Sequence, residues 1–434
     1  MTSDRPDSSD DRRNAIARAA HALSSSDPRA HVFFEERTDT RLNLASSGLR
    51  NEVTTRACGG TIASRRSIHA TGPDFLESAL RWKPWETAEM VDRDHKIWVA
   101  KVEAAVAKEA ASAALGRRQP AWSAKLVEFH QEVWVGRPGH SVVHDVRRGS
   151  RLELRVRFGD NPRASAVNEL VPRSDSSPPI REAFARAFDR AEQREATSGT
   201  CEPGITTAVF APGAGGIVAH ELIGHALEGD VVARGRTWIG ERGVSAPRVS
   251  LTVVDDPRRG RGAWLIDDEG VPTGETILVD RGIRAGLLLD SASASALGRA
   301  STGHGRRSSY MESVRPRMGC TFIESGTDDP DDILRSTRTG VFIRRLIGGH
   351  TDPISGRATF VVSDSDRIVD GRLAEPLDAF VLELDGPESW GSIDRVAHDL
   401  AFDTCIGSCV RDGQPMAVSV GAPTIRIGVV IVRS

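Results

Sequence analysis

The chain has 434 residues, of which 39% are hydrophobic, and a formal net charge of -3 at pH 7. This length allows two sizeable cores, and the balanced charge argues against a basic nucleic-acid binder. The polar N-terminus and the absence of any run of eighteen apolar residues argue against a leader peptide or a membrane helix. An odd number of cysteines, at positions 58, 201, 320, 405 and 409, fits a reducing compartment, so we expect a soluble, cytoplasmic protein.

The first 200 residues predict an N-terminal α/β domain. We expect a helix over residues 11–23 and then strands over 31–35, 41–46 and 59–64. There follow a long Ala-rich helix over 86–115, a strand pair over 126–135 and 151–158, a loop over 160–179 and a helix over 180–192. No basic groove accompanies the tryptophans at 82, 85, 98, 122 and 134, which favours core packing over base stacking.

A polar hinge over residues 197–204 sets the predicted boundary between domains 1–200 and 201–434. Beyond it we expect short strands over residues 205–210, 251–255, 263–267, 276–280, 285–289, 341–346, 358–362 and 380–384. The predicted fold class is therefore α+β: an N-terminal α/β domain is followed by a mostly β C-terminal domain that carries a metal-binding helix.

The metal-binding helix is predicted from His220, Glu221 and His225, which follow a glycine-rich turn. Two imidazoles and one carboxylate form the grouping that a hydrolytic zinc site needs. Histidines four residues apart lie about 40° apart around a regular helix, whereas a spacing of five separates them by about 140°. Both can face one metal only if the helix bulges or ends between them. A one-residue π-bulge near Gly224 would restore a common face.

A third ligand is available near the C-terminus in Cys409, which stands in the segment Gly-Ser-Cys-Val-Arg-Asp-Gly-Gln. Together with Cys405 it could suggest a small structural zinc site, but no second pair of Cys or His residues lies near them in the sequence, which disfavours this alternative.

Other polar groups allow several interpretations. Adjacent acids on a strand point to opposite faces, which favours a charged turn over a hard-cation site for Asp267, Asp268 and Glu269. Two roles are equally compatible with the arginines near the middle of this half: they bind a carboxylate of the substrate as a clamp, or they form structural ion pairs. These residues are Arg306, Arg307, Arg315 and Arg317. We expect His304 and His350 to be structural residues whose ring nitrogens form hydrogen bonds. The single tyrosine, Tyr310, permits a role in stabilising an oxyanion but does not establish one.

The His-Glu-x-x-x-His helix, its continuation through Glu228-Gly229-Asp230 and the late Cys409 together resemble the TldD/PmbA family of metallopeptidases. The likeness continues in residues 254–256, 267–273, 301–303, 315–318, 351–353 and 421–427, and so covers most of the chain from 205 to 434. It implies a Zn²⁺ ion held by His220, His225 and Cys409, with Glu221 as the base that takes a proton from water. Glu228 and Asp230 are then candidates for orienting the ligand imidazoles.

The resemblance also implies a peptide or peptide-like substrate and a dimer, either a homodimer or a heterodimer with a TldE/PmbA-like paralogue. The family includes partner subunits that lack the metal ligands, whereas this chain keeps all four key residues and resembles the active type. One departure is Gly319-Cys320, where the family usually carries Thr-Asn. This leaves open a specialised amide hydrolase that acts on one small peptide-like metabolite.

Overall fold

The structure is a computed structural model that describes residues 8–21, 31–63, 68–71, 102, 105–106, 120–158, 165–169, 180–196, 199–240, 249–403 and 408–433. The helix predicted over residues 86–115 lies outside this part except for three helical positions, 102, 105 and 106. Trp82, Trp85, Trp98 and Cys405 also lie outside it. In the described part, no helix is long and apolar enough to cross a membrane.

The first half forms one antiparallel sheet of six strands in the order β3-β2-β1-β4-β5-β6. The strands are β1 (His31–Ala45), β2 (Arg50–Ala63), β3 (Ile68–Thr71), β4 (Ala121–Gly136), β5 (Val143–Arg157) and β6 (Ser165–Glu169). The predicted strand pair is confirmed as β4 and β5. The split into strands over 31–35 and 41–46 is wrong, because β1 runs unbroken through its polar centre. The loop predicted over 160–179 likewise contains β6.

Helices cover one face of this sheet. Both α1 (Ser8–His21) and α2 (Ile180–Ala196) form as predicted, and α2 buries the side on which Ala183, Phe184, Ala187 and Phe188 recur at helical spacing. These residues pack on Leu126, Leu152 and Leu154 of the sheet. Trp134 is fully buried, as expected of a core residue, and Trp122 packs edge-on against Phe184. The opposite face of the sheet contacts the second half of the chain.

The second half contains β7 (Gly204–Phe210), β8 (Val253–Asp255), β9 (Thr276–Asp280), β10 (Ile283–Arg284), β11 (Gly305–Arg306), β12 (Arg315–Pro316), β13 (Cys320–Ile323), β14 (Thr339–Asp352), β15 (Arg357–Val369), β16 (Arg372–Pro376), β17 (Phe380–Asp385), β18 (Ile393–Val396), β19 (Ala401–Asp403), β20 (Ser408–Arg411), β21 (Gln414–Ala417), β22 (Ser419–Ala422) and β23 (Ile425–Arg433). Its short helices are α3 (Gly216–Ala219), α4 (Gly229–Ala233), α5 (Ser291–Ala296), α6 (Pro330–Arg335) and α7 (Gly386–Gly391). The fold is thus mixed α and β with mostly strands, as predicted.

These strands form two main sheets. One has the order β10-β9-β8-β13-β22-β19, and the other has the order β14-β7-β23-β17-β15-β16. Since β14 also pairs with β15, five strands of the second sheet close into a ring. Two predicted strands do not form: residues 263–267 make only one isolated bridge, and 285–289 are irregular apart from a bridge at Leu288. Both segments lie where the chain turns between other strands.

The predicted boundary at residues 200 and 201 falls between α2 and β7 and stays a prediction. The largest core cluster lies beyond it and surrounds the helix that follows β7. This cluster includes Ala219, Leu222, Ile223 and Ala226 from the helix itself. The two candidate histidine ligands therefore stand on a helix that is packed within the largest core cluster of the described residues, whereas Cys409 belongs to a small separate cluster with Met416 and Val418.

Candidate metal centre

The helix that carries both histidines is π-helical between them. It starts as α3, continues as a π-helix over His220–Gly224 and ends as a 3₁₀ turn over His225–Leu227. The predicted bulge is confirmed: the His225 N–H bonds back to the His220 carbonyl, five residues earlier, as in a π-turn. The two imidazole rings consequently lie 5.1 Å apart, centroid to centroid, and nearly perpendicular to each other.

Two glycines in this segment are required by close packing. A Cβ on Gly216 would lie 2.5 Å from the backbone nitrogen of Gly421, so the start of the helix presses directly on β22. A Cβ on Gly224 would collide with the sulfur of Met318. Met318 thus fills the space beside the π-turn that a side chain would otherwise need.

Cys409 meets both histidines although it lies far along the chain. Its Sγ is 3.3 Å from Nε2 of His225, and one donor atom from each of His220, His225 and Cys409 lies within 4.8 Å of the other two. In an ideal zinc tetrahedron with nitrogen and sulfur ligands these separations would be about 3.3 to 3.6 Å. The donor set and its size fit zinc after a small contraction.

The charges within this cluster suit metal binding. Burial alone would raise the pKa of the Cys409 thiol, but the charge of His225 beside it holds that pKa well below its ordinary value. Burial alone would lower the pKa of His225, but Cys409 and Glu228 raise it well above its ordinary value. Both shifts favour the thiolate form of Cys409, the form that binds metals, and a bound metal would take the place of the proton that is shared with His225.

His220 supports the same assignment independently. It is 1% exposed, and neither ring nitrogen has a hydrogen-bond partner. Leaving both nitrogens buried and unsatisfied is costly, and a metal bond to one of them removes part of that cost.

Glu221 lies beside the cluster without joining it. Its Oε2 is 3.9 Å from Nε2 of His225, and the side chain is 11% exposed. Its Cγ packs at Gly349 of β14, where an added Cβ would come within 3.3 Å. This places a carboxylate next to the donor atoms, where it can exchange protons with a molecule held there.

A second layer of charges surrounds His225. Oε2 of Glu228 is 3.3 Å from its Nδ1, which leaves Nε2 to face Cys409. Arg411 then bonds Glu228 at 2.5 Å and Asp230 at 2.7 Å. Glu228 and Asp230 were predicted to lie here, but Arg411 was missed. The sequence could have indicated Arg411 through its position two residues after Cys409, because alternate residues of a strand lie on the same face.

The four candidate arginines serve the architecture around the site. Arg317 donates to the carbonyls of Cys409 and Gln414 and so supports the β20–β21 hairpin, while Arg315 lies 3.7 Å from Asp230 and 3.3 Å from Asp412. Arg306 bonds Asp268, and Arg307 is fully buried against Phe33 and His31. The structure thus favours structural roles over the substrate-carboxylate clamp that the sequence left open, with ion pairs at Arg306 and Arg315 and other contacts at Arg307 and Arg317.

The three adjacent acids form a turn, as favoured by the sequence, but the turn is buried. Asp268 pairs with Arg147 of β5 at 2.6 Å, and Asp267 accepts backbone N–H groups from Glu269, Val271 and Gly305. Glu269 accepts from the Ser291 N–H at 2.6 Å. These contacts link the N-terminal sheet to the second half.

The remaining candidates are not among the grouped donor residues of the metal cluster. His304 bonds Asp255 and Thr302 as a satisfied core histidine, and His350 is exposed on β14. Tyr310 is half-buried and is held through its backbone by Glu35. At Gly319-Cys320, where the sequence departs from the family pattern, the Gly319 N–H donates to the Asp255 carboxylate. Burial and the charge of Asp255 raise the pKa of the buried Cys320 thiol.

Comparison with known proteins gives one consistent family. The sequence profile described as the PmbA/TldA metallopeptidase C-terminal domain matches residues 203–434. A metalloprotease TldD homolog from Buchnera aphidicola is 31% identical over 327 residues, which cover 70% of this chain and 66% of that protein. A zinc metalloprotease TldD homolog from Saccharolobus solfataricus is 26% identical over 234 residues, covering 52% and 51% of the two chains.

The fold has a solved counterpart in TldE from Thermococcus kodakarensis, with a TM-score of 0.70 and 16% identity over 98% of this chain and 100% of that chain. At this identity the likeness concerns the fold alone. Across the curated relatives that it matches, the chain spans between about half and two thirds of their length.

Proposed function

The chain belongs to the PmbA/TldD family of metallopeptidases, and from that premise we propose that it is a zinc-dependent peptidase of small or unfolded peptides. The observation that carries the proposal is the meeting of His220, His225 and Cys409, with donor atoms within 4.8 Å of one another and Glu221 alongside. The zinc named for the Saccharolobus relative supports the choice of metal.

In the proposed mechanism, His220, His225 and Cys409 would hold the zinc, which would supply Lewis acidity towards the scissile carbonyl and a water molecule. Glu221 takes the proton from the attacking water and delivers it to the leaving nitrogen. Glu228 holds the His225 ring by its Nδ1 and so fixes the tautomer that presents Nε2. The deep packing of the helix keeps these groups in place during turnover.

Glu221→Gln tests whether Glu221 acts as the proton acceptor or as a metal ligand. The amide keeps the size and hydrogen bonding of the side chain but cannot accept the proton. We expect unchanged zinc content and thermal midpoint, and a fall in peptide turnover of roughly 10²- to 10⁴-fold. The exposed Glu388→Gln is the matched control. A Glu221→Gln protein that loses its zinc would make Glu221 a ligand, and one that keeps most of its activity would contradict the hydrolytic mechanism.

We propose further that the chain works as a dimer in the cytoplasm, with a second copy or with a TldE/PmbA-like paralogue. Paired strands β14 and β15 expose Ile347 and Val361 opposite each other, at 48% and 39%, an apolar pair that a partner would cover. Light scattering at decreasing concentration, combined with activity, tests this. Full activity of a monomer at nanomolar concentration would contradict it.

A further inference from the structure

The change of helix type at the metal centre leaves backbone carbonyl groups short of donors. In the π-helix the His225 N–H bonds to a carbonyl five residues back. The 3₁₀ turn over His225–Leu227 instead bonds three residues back, and its first acceptor is the carbonyl of its N-cap, Gly224. Between these two bonds, the carbonyls of residues 221–223 are left to share one backbone N–H, that of Ala226.

The indole ring of Trp238 supplies a further donor at this place. Its Nε1–H donates to the Leu222 carbonyl at 3.0 Å. Leu222 is fully buried, and a buried carbonyl that lacks a donor is costly, so this bond offsets part of the cost of the π-turn. In a regular α-helix the same carbonyl would accept from the Ala226 N–H and would need no side chain.

The Trp238 ring is held in place from the turn between β14 and β15. The backbone N–H of Trp238 donates to the Pro353 carbonyl at 2.9 Å. The half-buried ring lies so close to Gly356 and Gly386 that an added Cβ would come within 2.9 Å and 3.0 Å of its atoms. These contacts fix the direction in which the indole N–H points.

The bond to Leu222 bears on the metal ligands because it favours one of two helix geometries. With the π-turn in place, the rings of His220 and His225 lie 5.1 Å apart. A return to the α-helical pattern would separate these two residues by about 140° around the helix axis. Trp238 stabilises the first geometry, in which the Leu222 carbonyl has lost its regular backbone donor.

We propose that Trp238 is a positioning residue of the metal centre: its indole N–H stabilises the π-turn and so keeps His220 and His225 on one side of the helix. This rests on the proposed function and adds to it a residue that acts on the ligands only through the backbone of Leu222. Through Trp238, the turn between β14 and β15 supports the metal centre.

Two changes at position 238 test the role of the N–H group. Trp238→Phe removes it together with part of the ring, and the analogue benzothienylalanine replaces it with sulfur in a ring of the same shape. Chelator competition measures the zinc affinity, and the visible absorption of bound Co²⁺ reports the geometry of the ligands. We expect both changes to weaken zinc binding by about tenfold and to alter the cobalt spectrum.

Trp264→Phe is the matched control, because Trp264 also donates its indole N–H to a backbone carbonyl, that of Gly303, at 3.2 Å. It should lower the thermal midpoint and leave the zinc affinity and the cobalt spectrum unchanged. A merely structural role of Trp238 would give this same result at position 238 and would overturn the proposal. If Trp238→Phe does not fold, the benzothienylalanine protein decides, since it loses one neutral hydrogen bond and keeps the packing of the ring.

A second perturbation reaches Trp238 from the opposite partner. Gly356→Ala pushes on the ring, whereas Gly139→Ala adds the same methyl group in open space at a nearly equal φ, +74° against +76°. Both changes strain the backbone alike. Only Gly356→Ala should alter the cobalt spectrum. A spectrum that Gly356→Ala leaves unchanged would contradict the link between the turn and the metal centre.

The parent chain separates this inference from the proposed function. A parent chain that binds neither zinc nor cobalt would overturn the metal centre itself. Metal binding that is insensitive to both changes at position 238 would overturn only the role of Trp238. A cobalt spectrum that depends on Trp238 in a chain that cleaves no peptide would overturn the peptidase and leave the positioning role standing.

Discussion

Oε2 of Glu228 lies 3.3 Å from Nδ1 of His225, and Nη1 of Arg411 donates to the same oxygen at 2.5 Å. The helix that provides the histidines and the hairpin that provides the cysteine are therefore joined by an ion pair as well as by the proposed metal. Replacing Arg411 should loosen both connections together.

Arg411→Gln is expected to weaken zinc affinity by roughly 10- to 100-fold, as changes behind a metal ligand typically do. The reason is that Glu228 loses its partner and orients the His225 ring less firmly. Competition with a chelator measures the affinity directly, without reference to turnover. Arg433→Gln breaks an exposed pair with Glu383 and serves as control. An unchanged zinc affinity in Arg411→Gln would show that the ion pair has no influence on the metal.

Cys409→Ser should lose zinc far more severely, because a neutral hydroxyl is a poor replacement for a thiolate. Cys320→Ser, which alters a buried cysteine outside the donor cluster, should keep its zinc. Metal analysis of the purified proteins gives both results. Full zinc occupancy in Cys409→Ser would exclude Cys409 as a ligand and direct attention to Cys405.

Gly224→Ala should destabilise the protein and reduce zinc retention, since the new methyl group collides with Met318 and displaces the π-turn. A loss of about 1 to 3 kcal/mol in the free energy of unfolding is expected. Gly274→Ala adds the same methyl group in open space and should be close to neutral. A partial recovery in the double variant Gly224→Ala, Met318→Ala would show that the collision is the cause.

The buried turn predicts a dependence of stability on pH. Burial and the charges of Asp267 and Asp290 raise the pKa of Glu269 to about 8. Unfolded glutamate titrates near pH 4.3, so the folded state holds more protons between about pH 4.3 and 8, and its stability falls as the pH rises through that window. Glu269→Gln keeps an acceptor for the Ser291 N–H and cannot ionise.

The free energy of unfolding of zinc-free Glu269→Gln should therefore decline less between pH 5 and 9 than that of the parent chain. Urea titrations at several pH values measure this, with the exposed Glu388→Gln as control. Parallel pH profiles for parent and Glu269→Gln would mean that Glu269 is ionised in the folded protein throughout.

The sequence predicted the π-turn because the five-residue spacing of the histidines has few geometric solutions and Gly224 stands where the backbone yields. Cys409 came from the family resemblance, since nothing local relates it to residues 184 positions earlier. The centre of β1 was misjudged because the polar residues 36–40, between the two predicted strands, were taken for a turn. Their segment is a strand whose charged side chains contact backbone groups of the second half: Glu35 accepts from the Tyr310 N–H, and Arg37 donates to the Ser308 carbonyl. Only the tertiary structure provides these contacts.

The distance along the chain between His225 and Cys409 has a consequence for biosynthesis. A nascent chain on the ribosome completes the histidine helix long before the cysteine leaves the exit tunnel. Until then the helix lacks its thiolate and Arg411, so the proposed metal centre cannot close. The order of translation thus prevents the proposed hydrolytic activity until the chain from His220 to Cys409 has been made.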